Sequence, residues 1–261
     1  MPIDVGSFRA TLAESKLALR NHSTRSSQHV LPIHRFLARE LVQLGLPEDW
    51  IAPDPSRNDG KYWTQGVRRA LTPLSKSRLV RSQPNFRALV EQIGDKSRKA
   101  KRQPFGAYHA KEVDVSAVLD ETGPLVVISV KAPVSSVAKN AVNRYEEAIG
   151  DATNLHTRFP MLVFGFLMVL PKVVELYGPN GPTPALERLE GLIAATSNRR
   201  TITDPPGGYE AAAIAVVDYG VDPPELLPDA PTISSGLRIE DFVDRLIGFH
   251  RERNGVLANP P

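Results

Sequence analysis

The chain has no cysteine among its 261 residues. Disulfides, thiolate zinc sites and cysteine nucleophiles are thereby excluded. Long apolar stretches are also missing. The longest run, MLVFGFLMVL at 161–170, is bracketed by Pro160 and Pro171. It is too short to cross a bilayer and reads as a buried central strand. The first ten residues, MPIDVGSFRA, have no apolar signal core, so a cytoplasmic rather than a secreted protein is expected. The six histidines show no H-E-x-x-H spacing. There is no P-loop, no G-x-G-x-x-G and no G-x-S-x-G. ATP-driven and serine-hydrolase chemistry therefore find no support.

What is present is charge, unevenly spread. The formal net charge is only +3. From Arg57 to Lys111, however, fourteen basic residues face three acidic ones, and from Thr201 onward ten acidic residues face four basic ones. A basic block of that density is the footprint of a polyanionic partner. Its densest part is KSRKAKR at 96–102, where Lys96, Arg98, Lys99, Lys101 and Arg102 are candidate phosphate contacts.

The most informative stretch is KEVDVSAVLDETGPLVVISVK at 111–131. It reads as two strands joined by a turn at Gly123-Pro124. Side chains alternate along a strand, so Glu112 and Asp114 share one face of the first strand and Ser129 and Lys131 one face of the second. Paired with those faces aligned, they bring two carboxylates, a hydroxyl and an ammonium together. Val126, Ile128 and Val130 form the opposite, apolar face. A plain surface hairpin would instead leave Asp114 and Lys131 as an exposed ion pair worth ~0–1 kcal/mol. Carboxylates beside a lysine suit metal-assisted phosphodiester hydrolysis: oxygen ligands hold a hard cation, and the lysine offsets transition-state charge.

Asp114, fourteen intervening residues, then Ser129-Val130-Lys131 resembles the active-site hairpin of the PD-(D/E)XK nuclease superfamily, which includes many type II restriction endonucleases. By that resemblance Asp114 is a metal ligand, the Val130 carbonyl another, and Lys131 the catalytic lysine. Ser129 stands where an acidic residue is usual. Glu112, Glu147 or Glu40 can supply the missing carboxylate. The resemblance implies a magnesium cofactor, with manganese able to substitute.

Around the hairpin the sequence reads as helices. Residues 5–20 form one and 32–45 another, with Pro32 in its first turn, Gly45 at its end and Glu40 inside its apolar stripe. A basic helix is expected at 67–83. Another is expected at 84–100, with Phe86, Leu89, Val90 and Ile93 facing inward. Tyr62 and Trp63 beside Lys61 fit either nucleic-acid contact or packing. After Pro133, Ser135 or Ser136 can cap a helix running to about Leu155. Its buried stripe is Val137, Ala141, Tyr145, Ala148, Ile149 and Ala152. Lys139, Asn143 and Glu147 form one row on its flank, and Lys139, Asn140, Asn143 and Arg144 are candidate DNA-backbone contacts. A third apolar strand is expected at 211–217 and an amphipathic helix at 239–253.

The expected fold is α/β, a central mixed sheet flanked by helices, similar to restriction endonucleases. One domain covers 1–261: a helical, basic part (1–110), a catalytic core (111–220) and a C-terminal helical extension (221–261). The expected activity is magnesium-dependent hydrolysis of double-stranded DNA by a type II restriction-like enzyme. A homodimer fits cleavage of both strands of a palindrome, and a cognate DNA methyltransferase would accompany such a system. No membrane is involved. The rivals are a repair or phage-defence nuclease without fixed sequence specificity, and an inactive DNA-binding protein on the same fold.

Overall fold

A computed structural model describes residues 2–21, 27–99 and 101–258. Two helices open the chain, α1 (Val5–Asn21) and α2 (Leu31–Gln43), followed by the two-residue strand β1 (Ile51–Ala52). Three helices come next, α3 (Gln65–Lys76), α4 (Arg78–Ser82) and α5 (Pro84–Lys96). The core is β2 (Val115–Leu119), β3 (Gly123–Lys131), α6 (Val137–Arg158) and β4 (Val163–Pro171). A two-residue hairpin, β5 (Tyr177–Gly178) with β6 (Gly181–Pro182), leads into α7 (Pro184–Thr196). The chain closes with β7 (Ala211–Asp218), β8 (Glu225–Leu226) and α8 (Phe242–Ala258).

The main sheet has the order β1-β2-β3-β4-β7-β8. The pairs β1–β2, β2–β3 and β7–β8 are antiparallel, while β3–β4 and β4–β7 are parallel. The expected mixed α/β sheet is therefore present. Parallel strands need a crossover, and α6 makes the one between β3 and β4. Helices cover both faces, so the central strands are apolar throughout rather than alternating with polar residues. Along β4, Val163, Leu167 and Val169 join α1, α2 and α8 in one core; Phe164, Phe166, Met168 and Leu170 join α6 and α7 in the other. Gly165 lets α8 approach closely, because a Cβ there would lie 2.7 Å from Leu246 Cδ1.

Local rules account for most boundaries. Pro32 opens α2, Ile33, Phe36, Leu37 and Leu41 are buried in it, and Gly45 follows its end at φ 101°. The β2–β3 turn occupies residues 120–122, just ahead of the expected place. Gly123 follows at φ 92°, where a Cβ would stand 2.8 Å from Phe159 Cε1. The start of α6 departs from expectation. Ser136 sits at its N-cap with φ 45° and makes no side-chain cap. Asn140 Nδ2 instead donates to the Ser135 carbonyl at 2.6 Å.

The helical part differs most. The basic helix at 67–83 is two helices, broken where Ser77 turns extended and caps α4 by accepting from Val80 N. The stripe of α5 does not face a core: Phe86 and Leu89 are each 49% exposed and Ile93 45%. These helices pack on one another and on Trp63, and only the start of α3 is tied to the sheet, where Gln65 bonds Val118 of β2, so the α5 stripe has only a shallow surface to cover. Tyr62 and Trp63 have packing roles: Arg102 lies over the Tyr62 ring, and Trp63 Nε1 donates to the Gly94 carbonyl.

Candidate active site

Asp114 lies one residue before β2, at the mouth of the hairpin rather than inside its first strand. Its Oδ2 accepts from the Val130 amide at 2.9 Å, which fixes the carboxylate against the last turn of β3. A strand residue points its N–H and C=O to the same edge, so the Val130 carbonyl faces the Asp114 side as well. Ser129 and Lys131 project from β3 toward α6. Together with Asp114 they line a cavity of about 410 Å³ closed by α6 and residues 109–113. The pairing inferred from alternation thus brings Asp114, Ser129 and Lys131 together.

Lys131 Nζ is 3.0 Å from Glu147 Oε1. Lys111 Nζ is 2.7 Å from Asp151 Oδ1 and 3.6 Å from the same Glu147 oxygen. Arg144 holds the other Glu147 oxygen at 2.6 Å. Burial would raise the Glu147 pKa, but hydrogen bonds from Arg144 and Lys131 outweigh it and hold the group at about 2. Lys111 behaves in the opposite sense: burial opposes its charge, and Asp151, then Glu147, push its pKa up. A row along α6 therefore fixes both lysines at the cavity wall. It continues the expected Lys139, Asn143, Glu147 series by one turn, to Asp151.

The candidate replacements for an acidic residue at Ser129 separate clearly. Glu112 turns toward the rim, where Lys101 and Gln103 bind its two oxygens at 2.9 and 3.0 Å and lower its pKa. Glu40 is buried beside Asp4 and Arg39 and does not line the cavity; burial, then Asp4, raises its pKa. It is not a ligand of this site. Glu147 lies in the cavity with both oxygens engaged by cations. On α2 it is His34 that approaches Asp114, although it too lies outside the cavity lining. Its Nε2 is buried, has no hydrogen-bond partner, and stands 3.8 Å from Asp114 Oδ1. Burial lowers the His34 pKa against the pull of Asp114, which favours the neutral imidazole that can ligate a metal.

No group of three or more His, Asp or Glu side chains among the described residues is arranged to hold a metal ion. The donors at Asp114 are one free carboxylate oxygen, an orphaned imidazole nitrogen and a backbone carbonyl. Of these, the carboxylate oxygen and the carbonyl suit a hard divalent cation and the imidazole does not.

Sequence reasoning missed His34, Lys111 and Asp151 as site residues. His34 shares the buried face of α2 with Leu37 and Leu41, three and seven residues on. A histidine inside an apolar stripe was the available signal. Asp151 follows Glu147 by four residues, and Lys111 was visible only as part of the basic block.

That block is also redistributed. Arg98 is 9% and Arg102 7% exposed. Arg98 binds Asp59 at 2.5 Å and the Lys61 carbonyl at 2.9 Å, and Arg102 reaches the Val118 carbonyl. Both hold the segment in place, and their burial leaves them little reach for a phosphate. Lys101 pairs with Glu112. Lys96 and Lys99 remain exposed, joined by Lys76, Arg78 and Arg81, and none of these five has an ion pair among the described residues. If they hold a polyanion, each Lys or Arg→Ala change should lower the salt slope of DNA binding by about one. Arg98→Ala should instead lower thermal stability, because it removes a buried guanidinium that binds Asp59, Asp54 and the Lys61 carbonyl together. Filter binding across a salt series, beside thermal melts, checks both.

Comparison with protein-family models, with curated proteins and with solved structures found no match. No helix among the described residues is long and apolar enough to cross a membrane.

Proposed function

We propose that the protein is a magnesium-dependent endonuclease of double-stranded DNA, with its active site at Asp114, Ser129 and Lys131. The observation that carries this reading is the juxtaposition of a cation-free carboxylate, Asp114, with an anchored lysine, Lys131, in one cavity. The resemblance of the Asp114 to Lys131 hairpin to PD-(D/E)XK nucleases supports the same chemistry.

Asp114 and the Val130 carbonyl would hold the cation, with water filling the rest of its shell. When bound, it would polarise a phosphoryl oxygen and lower the pKa of a bound water. Lys131, kept in one orientation by Glu147, donates to the attacking water or to a phosphoryl oxygen and offsets charge that builds there. Ser129 lines the same cavity, where its hydroxyl can donate to a phosphoryl oxygen. The exposed cations of α3–α5 and Lys99 give the duplex a docking face that does not read sequence. The finer reading is a type II restriction enzyme: a homodimer acting on a palindrome, with a methyltransferase protecting the same site.

The test is cleavage of unmethylated phage DNA by the purified protein in magnesium, in manganese and in EDTA. Discrete fragments that need the metal are expected. A metal-dependent smear would keep the nuclease and remove the restriction reading, favouring a repair or defence role. DNA binding with no cutting in either metal would sink the nuclease and leave a binding protein.

A further inference from the structure

We infer that residues 104–111 form a base-contacting hairpin, with the Tyr108 ring packing on a nucleobase of the DNA strand whose phosphate enters the Asp114–Lys131 cavity. This rests on the cavity being a phosphodiester site, and not on its cutting the strand.

The segment, PFGAYHAK, is short and has no strand alternation of its own. Its shape comes from a few hydrogen bonds and from α6. Phe105 and Ala110 form an antiparallel bridge, Gly106 N donates to the His109 carbonyl at 2.9 Å, and Lys111 N donates to the Pro104 carbonyl at 3.0 Å. Asn154 of α6, only 1% exposed, holds the tip. Its Oδ1 accepts from the Tyr108 amide at 2.9 Å and the His109 amide at 3.4 Å, and its Nδ2 donates to the His109 carbonyl at 3.1 Å. Its own carbonyl accepts from the Ala107 amide at 2.8 Å. The amides of residues 106–109 are thus all satisfied, and the tip backbone is set before anything binds. Position 106 needs glycine for this fit, since a Cβ there would lie 2.4 Å from Asn154 Nδ2. Lys111, at the end of the hairpin, is pinned to Asp151, one turn earlier on α6.

What this backbone presents to solvent is aromatic. Tyr108 is 71% exposed and Phe105 55%, and the Arg158 guanidinium lies over the Phe105 ring. A lone exposed aromatic is ordinary. This one sits on a tip shaped by a buried asparagine and a required glycine, and the next four residues, His109 to Glu112, line the cavity. Neighbouring Cα atoms are about 3.8 Å apart, and neighbouring nucleotides about 3.4 Å along a strand. A strand with one phosphate in the cavity therefore brings an adjacent base to Tyr108. Aromatic rings stack on every base, and Lys101 and Lys111 on the cavity wall suit the flanking phosphates.

Binding in EDTA, where no cleavage intervenes, tests this. Short duplexes, each with 5-iododeoxyuridine at a different position, are irradiated with the bound protein, and crosslinked peptides are identified by mass spectrometry. Affinity is read by fluorescence anisotropy across a salt series. A crosslink at Tyr108 is expected. Tyr108→Ala should bind about 5- to 100-fold more weakly with an unchanged salt slope, because stacking is lost and no phosphate contact is. Tyr108→Phe should bind like the native chain, and both variants should melt where the native chain does. Native affinity in Tyr108→Ala, or crosslinks confined to other residues, would overturn the inference. So would a Tyr108→Phe variant as weak as Tyr108→Ala, which would assign the contact to the hydroxyl. No DNA binding by the native protein would overturn the inference and the nuclease reading together. A Tyr108 crosslink with the expected affinities, in a protein that never cuts in magnesium or manganese, would uphold the hairpin and remove the nuclease.

Discussion

Asp114→Asn and Lys131→Ala are each expected to slow DNA cleavage by about 10³-fold or more, with folding and metal-free DNA binding nearly unchanged. The choice of substitution matters. Asp114 also accepts from the Val130 amide, so alanine would remove a structural hydrogen bond worth about 1 kcal/mol along with the charge. Asparagine keeps an acceptor for Val130 and removes only the negative charge. A loss of cleavage in Asp114→Asn, at unchanged melting temperature, therefore belongs to metal binding. Lys131 tests a different step. Its side chain is 14% exposed and its partner Glu147 33%. Losing that pair costs ~0–1 kcal/mol, and Arg144 and Lys111 still neutralise Glu147. Lys131→Ala should bind manganese as the native chain does and still fail to cut. Lys131→Arg should fail as well, because a planar fork cannot replace a compact ammonium held by Glu147. Single-turnover cleavage beside manganese binding separates the two residues. Native-rate cutting by either Asp114→Asn or Lys131→Ala would show that the site lies elsewhere.

The core of the fold was legible because its signals are strong and local. The ten-residue apolar run became β4, the alternation of Val126, Ile128 and Val130 became the buried face of β3, and the α2 and α6 stripes lie where their spacing put them. The unforeseen strands, β1, β5, β6 and β8, are each two residues long, too short for any periodicity to mark. The α5 stripe misled because periodicity reports an apolar face and not what covers it. At the site, strand alternation with aligned faces anticipated Asp114 beside Ser129 and Lys131, but not that Glu112 turns to Lys101 and Gln103. The partners of charges do not follow from it. Nothing in KSRKAKR distinguishes Arg98 and Arg102, buried against Asp59 and Tyr62, from the exposed Lys96 and Lys99. Likewise, nothing local says that Glu147 serves two lysines or that His34, not Glu40, faces Asp114. Those facts arise from segments brought together only by the tertiary fold.

Glu210→Gln should destabilise the protein by about 3–5 kcal/mol, the largest loss of stability expected from one conservative change. Glu210 is the residue before β7 and is 2% exposed. Its Oε1 accepts from Arg199 and, at 2.5 Å, from Arg253; its Oε2 accepts from the Phe164 amide at 2.7 Å and lies 3.3 Å from His156 Nε2. One carboxylate thus ties the start of β4, the end of α6, the 199–202 segment and α8. Burial would raise its pKa, yet His156, the Phe164 amide and Arg253 hold it at about 2. A glutamine keeps the shape and removes the charge, leaving Arg199 and Arg253, which are 2% and 7% exposed as side chains, with carbonyl acceptors but no counter-charge from residue 210. The pH dependence carries the sign. The folded carboxyl titrates near 2 and an unfolded one near 4.5. The stabilisation is therefore complete above about pH 5 and disappears as pH falls toward 2, a loss of about 3 kcal/mol. Urea unfolding of both proteins from pH 7 to 3 should show the native chain approaching the Glu210→Gln variant as the solution becomes acidic. A constant gap between the two curves would mean that the carboxylate's charge is not what binds these elements together.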